Sequence, residues 1–119
     1  MPPGCPPDDA APPFGIFLRL IPSNSVVPDD FLSIAEKGRR CPKKISECMC
    51  RAYSLWAEDT PHEVLADLTK YPNLRGMKYV AHIEFDASSG RMKQNGNHAS
   101  IWMYATFRPE QAVKAILPI

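Results

Sequence analysis

The stretch Asn97–Phe107, NHASIWMYATF, constrains the fold more than any other. Ala99, Ile101, Met103, Ala105 and Phe107 are apolar, while His98, Ser100, Trp102, Tyr104 and Thr106 alternate with them. That is the two-residue period of a strand, not the 3.6-residue period of a helix. One face of the strand must meet a core, because a register slip of one residue would turn the whole apolar set toward water. The use of the other face is the functional question.

Two further segments show the same alternation. In Met77–Asp86, Met77, Tyr79, Ala81, Ile83 and Phe85 oppose Lys78, Val80, His82, Glu84 and Asp86; in Phe14–Ile21, Phe14, Ile16, Leu18 and Leu20 oppose Gly15, Phe17, Arg19 and Ile21. The turn-rich DASSGRMKQNGN has room for a short extra strand around Met92. RPEQAVKAILPI reads as one or two helical turns begun at Pro109, with AILPI as an alternative edge strand.

Three helices are predicted. Pro28, Asp29, Asp30 and Gly38 mark the ends of one over Asp29–Lys37. Ile45, Cys48, Met49, Ala52, Leu55 and Trp56 recur at helical spacing over Ile45–Ala57. Thr60, Pro61 and Glu63 start a third, Pro61–Lys70, stopped by Pro72. The expected fold is α+β: an antiparallel sheet of three or four strands with about three helices packed on one face. Its expected core is Ile16, Leu18, Leu20, Phe31, Leu55, Trp56, Val64, Leu68, Ile83, Phe85, Ile101 and Met103.

A chain of 119 residues can bury one core. Residues 1–13, rich in proline, read as a disordered or loosely attached tail before a single domain over 14–119. With 14 basic and 13 acidic side chains, no long-range field selects a partner. Neither a secretory signal nor a membrane-spanning apolar run is visible, so the reading is cytoplasmic, without a membrane partner. Cys5, Cys41, Cys48 and Cys50 then read as reduced thiols, with Cys48 in the core and Cys50 exposed. Their spacing does not suit zinc, and no metal or cofactor is expected.

If the Met77–Asp86 and Asn97–Phe107 strands formed a hairpin, Glu84 would face Ser100, His82 would face Trp102, and His98 would lie near Asp86. The non-core face would then gather Lys78, His82, Glu84, His98, Ser100, Trp102 and Tyr104, with Arg19 from the first strand. Such a face can simply be solvated, or its aromatics can be covered by a second copy in a homodimer. As a binding module it would stack single-stranded RNA on Trp102 and Tyr104. As an enzyme it would be a metal-independent ribonuclease, with His82, Glu84 and His98 moving protons and Arg19 or Lys78 stabilising charge on phosphate. The loop cations Arg39, Arg40, Lys43 and Lys44 could dock phosphates if they lie beside that face. The sequence favours a ligand- or RNA-binding or interaction module.

FLRLIP followed by DFLSIAEKG, with PEQ near the end, is similar to the arginine, serine, glutamate order of one class of ADP-ribosyltransferases. The resemblance covers only those three short stretches. It implies that Arg19 contacts a dinucleotide, Ser33 supports the site and Glu110 activates the acceptor.

Overall fold

The computed structural model describes residues 3–58 and 76–119. Six strands form one antiparallel sheet: β1 (Gly15–Ile21), β2 (Tyr53–Ala57), β3 (Tyr79–Phe85), β4 (Gly90–Asn95), β5 (His98–Met103) and β6 (Val113–Pro118), in the order β4-β5-β2-β1-β3-β6. Among the described residues the only α-helix is α1 (Glu47–Cys50), accompanied by 3-10 turns at Pro28–Phe31 and Pro109–Gln111. The described residues are therefore mostly β, six strands with one short helix, and the expected α+β packing of three helices on a three- or four-stranded sheet is corrected.

Two of the three predicted helices fail for local reasons; the third, Pro61–Lys70, lies outside the described residues. Over Asp29–Lys37 the chain makes two separate starts. The Asp30 carboxylate accepts from the Val27 N–H at 2.9 Å, and Ser33 and Glu36 exchange side-chain-to-backbone bonds of 3.0 and 3.2 Å. Leu32 between them is extended, at φ −87° and ψ 136°, so no continuous helix forms.

Over Ile45–Ala57 the Ser46 hydroxyl caps α1 by accepting from the Met49 N–H at 3.2 Å, but the helix stops at Cys50. Tyr53–Ala57 then becomes β2, with Tyr53 and Leu55 on one face and Trp56 on the other. A short apolar run buried on both faces satisfies helical and strand patterns alike, and its aromatic content suits the strand.

One sheet face carries the main core: Phe17, Ile21, Tyr53, Leu55, Ile83, Phe85, Met92 and Ile101, with Phe31 packed on them. Leu18, Leu20 and Trp56 form a second cluster on the opposite face, away from Ile83 and Ile101, with which they were expected to pack. Both faces of β1 are thus apolar, as befits a central strand.

At the β4 edge, Ala11 exchanges backbone bonds of 2.8 and 2.7 Å with Met92, Asp9 pairs with Lys93 at 3.0 Å, and Arg91 donates to the Ala10 carbonyl. The proline-rich segment thereby covers an edge that would otherwise expose unpaired backbone groups. The cysteines are not reduced thiols. Cys5 is bonded to Cys48 and Cys41 to Cys50, and Cys50, expected to be exposed, is buried while Cys48 is half-buried. Among the described residues no helix is long and apolar enough to cross a membrane.

Candidate functional site: a cationic concavity where the sheet splits

The site begins with a defect in pairing. β1 runs beside β3 over seven residue pairs but meets β2 only at Phe17–Ala57 and Leu18–Trp56. Beyond Leu18 the two strands diverge, leaving backbone acceptors of β2 without a strand partner. Arg19 fills the gap: its Nη1 donates to the Ser54 carbonyl at 3.0 Å, and its guanidinium carbon lies 4.5 Å from the centre of the Tyr53 ring. A guanidinium suits this position because it joins a planar donor fork with a face that stacks on an aromatic ring.

The segment from Leu32 to Met49 folds over this split. The Ala35 N–H donates to the Cys50 carbonyl at 3.0 Å, and the Cys41–Cys50 disulfide closes the loop that carries Lys43 and Lys44. Between segment and sheet lies a concavity of about 590 Å³. Ser54, Trp56, His98 and Ser100 contribute from β2 and β5, Arg19 from the split, and Ser33, Lys37, Arg39, Lys44, Ile45 and Met49 from the covering segment. Among the described lining residues there are four cationic side chains and no carboxylate. Burial first, then the charges of Arg19 and Arg39, pull the Lys37 ammonium below the usual lysine value, outweighing the opposite pull of the Asp30 carboxylate outside the lining. Such crowding of like charge is relieved by a bound anion.

The strands separate much of the expected catalytic set. β3 and β5 are not neighbours, so the anticipated hairpin and its pairing of Glu84 with Ser100 and His82 with Trp102 do not form. A row crosses the sheet as His82, Leu18, Trp56, His98. His82 and His98 share a face but are three strand spacings apart, about 14 Å. Glu84 points to solvent and pairs with Lys114 at 3.7 Å. Lys78 is exposed just before β3, its backbone bonded to Ile21 and Ile119.

Trp102 is 2 % exposed, packed with Ala10 and Ala52, and its indole N–H donates to the Cys48 carbonyl at 3.0 Å. Neither stacking on an RNA base nor pairing with a second copy is open to that ring. Tyr104 is exposed beyond the end of β5 and lines a different concavity on the main-core side.

The concavity does collect His98, Ser100, Arg19 and Arg39, whereas Arg40 is exposed outside its lining. His98 packs edge-on to Trp56, ring centres 6.1 Å apart. Lys37, Ser54 and Trp56 were missed as site residues. The run from Lys37 to Lys44 carried the signal for the first, while Trp56 and Ser54 were hidden by the helical reading of β2. Ser33 joins Arg19 in the same lining, but Glu110 lines the concavity that holds Tyr104, beyond the shared wall of Leu32 and Tyr53. Among the described residues no three His, Cys, Asp or Glu side chains are grouped to hold a metal ion. Compared with known proteins, the chain matches no family model, and no curated protein or solved structure matches it.

Proposed function

We propose that this chain is a binding module for a phosphate-bearing ligand of nucleotide size, free or at the end of a single RNA strand. The observation that carries the reading is the lining of one concavity by Arg19, Lys37, Arg39 and Lys44 without a described carboxylate. Multiple cations neutralise phosphate and make its binding salt-dependent. Ser54 and Ser100 offer hydroxyls to a sugar or phosphate, and Ile45, Met49 and Trp56 offer apolar surface to a base. The RNA reading thus stays on the face that carries His98, Ser100 and Trp102, and moves along it from the buried Trp102 to the Trp56 side of the sheet split. A relay between His82 and His98 is not part of it, because proton transfer needs both groups within hydrogen-bond reach of one substrate.

The test is an NMR titration of the labelled protein with ADP and with a short mixed-sequence RNA at two salt concentrations. The Trp56 indole signal should move, more at low salt, while that of Trp102 stays. Movement of Trp102 alone, or of neither, would overturn the reading.

A second reading is an ADP-ribosyltransferase-like enzyme. It is favoured by one observation, that Arg19 and Ser33 line the same concavity. Glu110 would have to act from the neighbouring one. Calorimetry with NAD should give heat that Arg19→Met abolishes, and no heat at millimolar NAD removes this reading.

The two disulfides also support work in an oxidising compartment, where such bonds persist, in place of the cytoplasm expected from the sequence.

A further inference from the structure

We propose that the Cys41–Cys50 disulfide is a redox latch on the cationic concavity, holding it in its binding form only when oxidised. The inference rests on reading that concavity as a phosphate site.

The bond closes a segment whose Lys44, Ile45, Ser46 and Met49 all line the concavity, with Arg39 just before it. That wall has little order of its own. Its only helix has four residues, too few to persist alone in water, and Pro42 to Met49 are exposed except for half-buried Cys48. Apart from the two disulfides, the wall is joined to the sheet by the indole bond of Trp102 to Cys48, and to the preceding segment by the Ala35 bond to Cys50. The second disulfide, Cys5–Cys48, ties the wall to the tail, not to Arg39 or Lys44.

Access favours chemistry at one sulfur. Cys41 is half-buried and shares a concavity with Arg39, Lys43 and Glu47, with Arg40 and Lys44 nearby in sequence, whereas Cys50 is 1 % exposed. An anionic thiolate such as that of glutathione is drawn to those cations and attacks Cys41 Sγ. The S–S bond breaks, a mixed disulfide forms on Cys41, and Cys50 leaves as a thiolate that takes up a proton. A second glutathione thiolate then releases Cys41 as a thiol, so the protein disulfide is reduced by two electrons while glutathione is oxidised to its disulfide. The freed segment carries Lys44 away from Arg19 and Lys37, lowering the local positive charge, while the Arg39 N–H stays bonded to the Ile34 carbonyl.

The experiment compares the oxidised parent with the C41A/C50A variant, which retains Cys5–Cys48. Inorganic pyrophosphate is the calorimetric probe, and amide exchange over residues 42–50 reports the order of the wall. Leu55 and Ile101 amides report the sheet. The variant should bind pyrophosphate at least about tenfold more weakly, since Lys44 and the backbone that carries it must then be ordered on binding. Its 42–50 amides should exchange faster while the sheet amides keep their protection.

C5A/C48A protein treated with reduced glutathione, where Cys41–Cys50 is the only bond left to reduce, should show the same changes relative to its own oxidised form, with both latch cysteines in place. Binding that ignores the disulfide overturns the latch alone. Absence of pyrophosphate binding by the oxidised parent overturns the phosphate reading and, with it, the gating.

Discussion

Removing the Cys5–Cys48 cross-link should cost more stability than removing Cys41–Cys50, although the latter holds the more deeply buried sulfur. Cys5 and Cys48 are separated by 43 residues, for which the entropy of loop closure in the unfolded chain gives about 4 kcal/mol. Cys41 and Cys50 are separated by 9, which gives about 2.6 kcal/mol. For a chain of 119 residues, with an unfolding entropy of about 250 cal/mol/K near 60 °C, these convert to Tm losses of about 16 and 10 °C. The C5A/C48A variant keeps the Cys48 carbonyl that receives the Trp102 indole bond, so the cross-link is the main term removed. Differential scanning calorimetry of parent, C5A/C48A and C41A/C50A measures both losses. A C5A/C48A protein melting within about 3 °C of the parent, less than 1 kcal/mol, would rule out a loop-closure contribution of this size. The segment lying along β4 would then contribute no constraint to the folded domain.

Gly90→Ala should destabilise by about 3 kcal/mol, because an added Cβ would lie 2.2 Å from the Trp102 carbonyl oxygen and 2.9 Å from Met103 Cα, both backbone. A denaturation midpoint close to the parent's would contradict that contact. Trp102→Ala should lose about 3–5 kcal/mol of stability in chemical denaturation, as a buried core aromatic does and a surface stacking residue does not. Burial holds the Tyr53 phenol neutral well above the usual tyrosine range, outweighing the opposing effect of Arg19. The unfolded chain ionises first on raising pH, so stability should be level below about pH 10 and fall above it. In ultraviolet titration Tyr53 should ionise only as the protein unfolds, and a fully reversible titration of all 4 tyrosines with the fold intact would contradict this.

Much of the sheet was legible because period-2 alternation is a local property. β1, β3, β5 and the short strand around Met92 lie within the expected segments, and β6 matches the edge-strand alternative for the chain end. Ile83, Phe85 and Ile101 share the main core as alternation requires. Strand order was not legible: β3 and β5 both show one apolar face, yet β3 pairs with β1 and β6, and β5 with β2 and β4. Alternation fixes which side a residue faces and says nothing of which strand lies beside it.

β2 was hidden because Leu55 and Trp56 extend the helical spacing begun at Cys48 and Met49, and only the turn at Arg51 and Ala52 breaks it. The site inherits that gap. Arg39 was recognisable as a phosphate candidate from its charge run, but its meeting with Arg19 depends on the divergence of β1 from β2. Trp102 drew attention for its chemistry, and what removes it from solvent is a proline-rich segment more than eighty positions earlier, pinned through Cys5. A disulfide partner 43 residues away cannot be read from spacing.

Phosphate binding at the concavity is read out by calorimetric titration with inorganic pyrophosphate, for the oxidised parent and for the K37M/R39M variant, each at low and high sodium chloride. The parent should show saturable binding that weakens as salt rises, and the variant binding at least about a hundredfold weaker, since each phosphate-contacting cation removed costs a charge-assisted bond. Equal affinity in parent and variant, or no saturable heat from the parent at millimolar pyrophosphate, would contradict it.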